Sequence, residues 1–246
     1  MKKFKAYWWH TVPNFGDALA PLLLERFAHI KVEWDTVSHA SIASIGSILE
    51  HIPPLWDGHI IGSGKLHEFS KLHLHTNTAK IWAIRGPLSA RGISGSFALG
   101  DPGVLADELV GPQDKLWNLG IVPHWQDHEL AINPRRWCPT PYTFKVIDPT
   151  KNPFDVIRQI GQCEKIVTSS LHGMIVADAF RLPRRIEVCK AMVNDGGLFK
   201  FKDYSESIQL PFETGKLQAA SHFRVEDLAF ELFDAYHALG EELRKG

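Results

Sequence analysis

Net charge is nearly absent from this 246-residue chain, in which 27 lysines and arginines stand against 28 aspartates and glutamates for a formal charge of -1. That balance gives no global attraction to nucleic acid or to an anionic membrane, so any anion must be held by locally placed groups. Cysteine is scarce as well. Cys138, Cys163 and Cys189 form an odd set without the close spacing of a zinc site or a redox pair, which favours structural thiols. No apolar run approaches the roughly 20 residues needed to span a bilayer. The opening Met1-Lys2-Lys3-Phe4-Lys5 passes into Tyr7-Trp8-Trp9-His10 instead of an apolar stretch, so there is no sign of an export signal. The expectation is a cytoplasmic protein, with peripheral attachment at the inner membrane face left open.

Hydrophobic residues make up 44% of the chain and charged residues 22%, the profile of a globular protein able to bury a sizeable core. Eight tryptophans and thirteen histidines stand out. Indole faces suit sugar rings, although most tryptophans pack in cores.

The pattern along the chain is α/β. A strand over Phe4 to Trp9, a Pro/Asn/Gly break and a helix from Ala18 to Phe27 open it. Short apolar strands follow at Ile42 to Ile48, His59 to Ile61 and Lys80 to Ile84, completing a Rossmann-like layer. Breakers at Gly111-Pro112-Gln113-Asp114 mark a lobe boundary. A second set continues with strands Leu119 to Val122, Phe144 to Ile147, Lys165 to Thr168 and Arg185 to Val188, and helices Pro153 to Gly161 and Leu171 to Phe180. Val225 to Leu243 has a helical apolar period. The predicted organisation is an N-terminal Rossmann-like lobe (1–112), a C-terminal one (113–222) and a terminal helix (223–246) packing back across them.

In open parallel sheets ligands sit beyond the carboxyl ends of the strands, which directs attention to the loops there. In Pro13-Asn14-Phe15-Gly16-Asp17, Asp17 either caps the helix that follows or faces a cleft and accepts from sugar hydroxyls. Gly62-Ser63-Gly64-Lys65 lacks the spacing of a Walker motif. Arg85 ends a strand just before Gly86-Pro87; its planar fork suits a carboxylate or phosphate, the alternative being a surface salt bridge. His124 follows another strand and shares an i, i+4 spacing with His128, without the intervening glutamate of a zincin, so no metal is expected. The richest stretch is Thr168-Ser169-Ser170-Leu171-His172-Gly173. Here a strand runs into a helix whose first-turn amides and dipole make an anion site beside a titratable ring. The competing reading is a capped helix with a packed histidine. Lys200 and Lys202 lie near the same edge, either to meet phosphate or to face solvent.

In order, Asn14-Phe15-Gly16-Asp17, Gly62-Ser63-Gly64, Ile84-Arg85-Gly86-Pro87-Leu88-Ser89-Ala90, Asp101-Pro102, Pro123-His124, Leu171-His172-Gly173 and Ala177-Asp178-Ala179 resemble the polysaccharide pyruvyl transferase family, especially its short exopolysaccharide ketal-forming members. The resemblance covers most of the chain. It implies two Rossmann-like lobes in a GT-B-like pair, phosphoenolpyruvate as donor in the cleft, no further cofactor, and a sugar acceptor that is polysaccharide or lipid-linked. Arg85 is similar to the family's cleft arginine on phosphoenolpyruvate, and His172 to its active-site histidine. Some relatives carry arginine where this chain has Ser170; Lys200 or Lys202 is then the replacement contact.

Ketal formation protonates the enol methylene, adds one sugar hydroxyl to the central carbon, expels phosphate and closes with a second hydroxyl. The expected roles are His172 as general acid, with Arg85, Ser169, Ser170, Leu171 and a lysine on the donor's anionic groups. Asp17 or His124 serves as base, with Asn14 and Gly16 among the contacting residues. Two other functions compete: a nucleotide-sugar-dependent glycosyltransferase on the same fold, and a non-catalytic sugar-binding relative.

Overall fold

The computed structural model describes residues 3–72, 79–127, 134–138, 141–189 and 197–245. Two sheets organise them. The first contains β1 (Lys3–Tyr7), β2 (Lys31–Trp34), β3 (Ile42–Ala43), β4 (His59–Ser63), β5 (Lys80–Ile84) and β6 (Ala98–Leu99) in the order β2-β1-β3-β4-β5-β6. Every pairing in it is parallel. The second contains β7 (Leu119–Val122), β8 (Phe144–Val146), β9 (Ile166–Thr168), β10 (Arg184–Ile186) and β11 (Leu217–Gln218) in the order β11-β10-β9-β7-β8, parallel except for the β10–β11 pair. Central strands such as β7 and β9 are buried along their whole length, as strands covered on both faces must be.

Local signals place the helices. In α1 (Leu19–Phe27), Leu19, Ala20, Leu23, Leu24 and Phe27 form one buried face. A single turn, α2 (Pro87–Ala90), starts on a proline whose missing N–H costs nothing there. The Asn152 side chain caps α3 (Pro153–Gly161) by accepting from the Phe154 amide at 3.0 Å. The helix α4 (Leu171–Ala179), capped by Ser170, is buried on every side and packs along the 3-10 segment Pro102–Leu109. Two more helices follow, α5 (Phe199–Ser207) and α6 (His222–Lys245).

The last helix returns to the first sheet. Leu228, Leu232, Tyr236 and Leu239 of α6 are buried there. Gly240 permits the approach, since a Cβ on it would lie 2.0 Å from the Ala28 carbonyl oxygen. That carbonyl, at the end of α1, accepts from Arg244 Nη1 at 2.7 Å. A continuous core joins Ala6, Leu23 and Ile61 of the first half to Val122, Ile166 and Met174 of the second.

The sequence pattern marks neither β2, β6, β11 and α5 nor the 3-10 segment Pro102–Leu109. It also ran β1 on to Trp9 and β3 on to Ile48, whereas those strands end at Tyr7 and Ala43. The tenth strand starts one residue earlier and ends two residues sooner than expected. Among the described residues no helix is long and apolar enough to cross a membrane. Among the described residues no disulfide joins Cys138, Cys163 or Cys189, and burial pushes the Cys163 thiol up to about 12.

Candidate functional site

The segments that follow β1, β3, β7 and β9 converge on an open cleft of about 470 Å3. Trp9, Asn14 and Asp17 line it after β1, and Gly46, Ser47 and Ile48 after β3. From the second half come His124, Trp125 and Gln126 after β7, and Ser170, Leu171 and His172 after β9. His51, Leu66 and Lys200 of α5 complete the wall.

Asn14 organises the first loop. Its carbonyl oxygen accepts from the Gly16 amide at 3.1 Å and its Nδ2 donates to Asp17 Oδ2 at 2.9 Å. The loop is tied to the other half by the Phe15 amide, which donates to the Pro149 carbonyl at 2.8 Å. Asp17 does not cap α1: the capping position is Ala18, with no side-chain bond, and the carboxylate lies on the cleft wall.

His124 is held from two sides. Its amide donates to Ser169 Oγ at 2.8 Å, and its Nδ1 accepts from the Gln126 amide at 3.3 Å, which leaves Nε2 as the protonated nitrogen of the neutral ring. Ser169 is spent on this loop, since its hydroxyl also donates to Asp127 at 2.5 Å and the residue is fully buried. Ser170 caps α4, accepting from the Gly173 amide at 3.4 Å. The amides of Leu171 and His172, in the first turn, have no intrahelical acceptor.

The His172 ring is almost fully buried, edge-on to Phe15 with centroids 6.4 Å apart. Gly16 makes room for it, because a Cβ at position 16 would sit 2.0 Å from His172 Nδ1. On the other side Nε2 faces Asp101 Oδ2 at 3.8 Å, beyond hydrogen-bond length. Neither atom has another hydrogen-bond partner among the described residues. Burial pushes the imidazole down to about 3, helped by Lys200 and Arg85, so the ring is neutral at pH 7. Burial lifts the Asp101 carboxyl to about 7, against the Gly103 amide bond and the attraction of Arg85. The acid form expected of His172 near neutrality is therefore not its resting state.

Two predicted contacts lie elsewhere. Arg85 is fully buried below the cleft, neither on its wall nor in a surface salt bridge. All three of its nitrogens are engaged: Nε with Asp203 at 2.9 Å, Nη1 with Ser47 Oγ at 2.6 Å, Nη2 with the Lys65 carbonyl at 2.5 Å. Nothing local in the sequence marks Asp203, 118 residues away, as the partner of Arg85. Lys202 is exposed and borders a separate hollow with Pro87 and Glu206, because it follows Lys200 by two residues and so leaves from another face of α5. His128 lies outside the described residues, and among those described no three His, Cys, Asp or Glu side chains cluster to hold a metal.

Ser47, His51 and Asp101 belong to the site or support it without having been assigned a role from sequence. Asp101 had a visible signal, an aspartate directly before a proline. It caps the 3-10 segment, accepting from Gly103 at 2.9 Å. His51 is fixed by Tyr7, whose hydroxyl lies 2.7 Å from its Nδ1.

Residues 77–184 match the family described as Polysaccharide pyruvyl transferase, a span that includes Arg85, Asp101, His124 and Ser169 to His172. The chain is 28% identical over 228 residues to succinoglycan biosynthesis protein ExoV of Rhizobium meliloti (strain 1021), covering 88% of this chain and 69% of that protein. It is 29% identical over 118 residues to uncharacterized protein L143 of Acanthamoeba polyphaga mimivirus, covering 44% of this chain and 39% of L143.

Proposed function

We propose that this chain, which belongs to the polysaccharide pyruvyl transferase family, moves the pyruvyl group of phosphoenolpyruvate onto two hydroxyls of one sugar in an exopolysaccharide or its lipid-linked precursor, in the cytoplasm. The observation that carries this reading is the composition of the cleft. The start of α4 and Lys200, both suited to a small multiply charged acid, lie in the same cleft as Asp17 and His124, which suit acceptor hydroxyls. We read the two sheets as the halves of a GT-B-like arrangement around that cleft.

In this mechanism the Leu171 and His172 amides and Lys200 hold the donor's phosphate and carboxylate. Protonation of the methylene carbon through His172 makes the central carbon electrophilic, a step for which a positioned acid supplies roughly 10²- to 10⁴-fold. One sugar hydroxyl adds to that carbon, with Asp17 or His124 taking its proton, and phosphate departs. The second hydroxyl then closes the ketal. Of the two hydroxyl protons, one ends in the new methyl group and the other on phosphate. No metal or nucleotide enters the balance. Trp9 and Trp125, on the cleft wall, offer indole faces to the acceptor.

Two measurements test the reading. Phosphoenolpyruvate at about 100 times its Kd should stabilise the fold by about 2.7 kcal/mol, a rise in Tm of roughly 5 to 11 °C. Uridine and guanosine diphosphate-sugars at equal concentration should leave Tm unchanged. Phosphate release from phosphoenolpyruvate should require an oligosaccharide or lipid-linked acceptor. A larger shift with a nucleotide-sugar, without phosphate release, would return the protein to the glycosyltransferase class.

A further inference from the structure

We propose that Asp101 is the positioning residue for His172: the two side chains form a buried pair that shares one proton, and the pair closes and passes that proton to the ring when an anionic donor enters the cleft. The inference rests on the proposed donor chemistry but has a ligand-free test of its own.

The geometry is of two orphans facing each other. Asp101 Oδ2 and His172 Nε2 lie 3.8 Å apart, each buried and without a hydrogen-bond partner among the described residues. Folded proteins rarely leave such atoms unsatisfied, and when they do the atoms often serve a function. A shift of about 1 Å makes a hydrogen bond of ordinary length. The carboxylate is the fixed member, since Oδ1 holds the Gly103 amide at 2.9 Å as the cap of its segment. His172, in the first turn of α4 and on the cleft wall, is the member a ligand touches.

Charges on the packed elements act on both members of the pair. Lys200 of α5 and Arg85 at the end of β5 face the ring and oppose its charging. Arg85 and Asp203 act on Asp101 with opposite signs, and the Tyr204 and Tyr236 hydroxyls lie within its field. Burial lifts the Asp101 carboxyl to about 7 and pushes the His172 imidazole down to about 3, so before a donor binds the proton belongs to Asp101. A phosphate and a carboxylate arriving beside Lys200 offset the positive field on the ring. The proton then passes from Oδ2 to Nε2, giving carboxylate and imidazolium. Nδ1, on the Gly16 side, gives its proton to the methylene carbon and leaves a neutral ring whose Nε2–H donates to Asp101. The pair is recharged by the proton released from the acceptor hydroxyl.

The test is nitrogen-15 NMR of the histidine rings in the full chain, with the His172 signals identified by their loss in His172→Gln. Without ligand, the wild-type Nε2 signal should show one step near pH 7, where Asp101 ionises, and Asp101→Asn should abolish it. With phosphoenolpyruvate at pH 7, His172 should move toward the imidazolium position in the wild type and stay neutral in Asp101→Asn. Turnover should fall on the order of 10²-fold in that variant, with partial rescue by Asp101→Glu and donor affinity within about 2-fold. A wild-type Nε2 signal with no step between about pH 6 and 8 overturns the pair without Asp101→Asn having to fold. Equal charging of His172 in wild type and Asp101→Asn overturns it too. A normal ligand-free step in a protein that releases no phosphate from phosphoenolpyruvate would instead count against the donor assignment.

Discussion

Replacing Arg85 distinguishes what its place in the sequence suggests from what its surroundings impose. The family resemblance puts the guanidinium on the donor, so that Arg85→Lys should cost transition-state binding. The structure surrounds it with protein: Asp203 on Nε, Ser47 on Nη1, the Lys65 carbonyl and, at 3.4 Å, Ser89 on Nη2. A lysine ammonium keeps the charge, yet its donors radiate from one point and do not span these groups together. Arg85→Met goes further, leaving the fully buried Asp203 with only the Ser89 amide at 2.8 Å and hydroxyl at 2.5 Å. Breaking a buried ion pair in this way costs about 3 to 5 kcal/mol. For a chain of this size that corresponds to a fall in Tm of roughly 6 to 20 °C. Arg85→Lys should fall between, at about 1 to 3 kcal/mol for the groups left unpaired. Adding Asp203→Leu to Arg85→Met should recover part of the loss, because removing both charges relieves the stranded carboxylate. Thermal scans give the stabilities, and kinetics on the folded protein give kcat and KM separately. An Arg85→Lys protein with wild-type Tm and a KM for phosphoenolpyruvate raised 10-fold or more would refute this reasoning and place Arg85 on the donor.

Three further outcomes follow from the same geometry. Gly16→Ala should cost about 1 to 3 kcal/mol by overpacking and lower turnover, since its Cβ must displace a ring that lies 2.0 Å away; wild-type denaturation and kinetics would show that the loop and ring do not meet. His172→Gln should lower turnover by about 10² or more while the protein still folds. Its stability deficit should also depend on pH: the ring's folded pKa of about 3 lies below its unfolded 6.5, so burying it neutral contributes fully above pH 6.5 and is lost as pH falls toward 3. The gap between wild type and variant should therefore narrow in denaturant titrations at pH 4.5 compared with pH 7.5, and a constant gap would contradict the shift. Lys200→Ala should raise the KM for phosphoenolpyruvate and Lys202→Ala should leave it within about 2-fold, because a single desolvated charge-assisted contact is worth more than a solvent-facing charge; equal effects would mean that neither lysine senses the donor.

What was legible in the sequence was local. Asn152-Pro153 and Ser170-Leu171 carry the cap chemistry that starts α3 and α4, and both helices begin where those signals place them. The bounds of β5 and β7 follow the sequence to the residue, and for β7 the reason is that a parallel strand buried along its length leaves a continuous hydrophobic trace. Short edge strands leave none: β2 is mostly exposed, and β6 and β11 are two residues each, so only the neighbouring strand defines them. The helix α5 was hidden for a related reason, having few strong helix formers and a stability that comes from packing its Phe201, Asp203 and Tyr204 face.

The sequence by itself determined which loops follow parallel strands, and so which residues were available to a cleft: Asp17, His124, Ser170 and His172 come from that rule and Asn14 from the family resemblance, and all five line it. Which side chains point into the cleft and which are consumed beneath it was decided only by tertiary structure. Arg85 ends a strand as the rule requires, yet Asp203 from α5 claims its fork; His172 starts a helix as the rule requires, yet Asp101 from the other half meets its Nε2. The partners lie 118 and 71 residues away in the chain, and no local propensity records a pairing made by the packing of two sheets against one another.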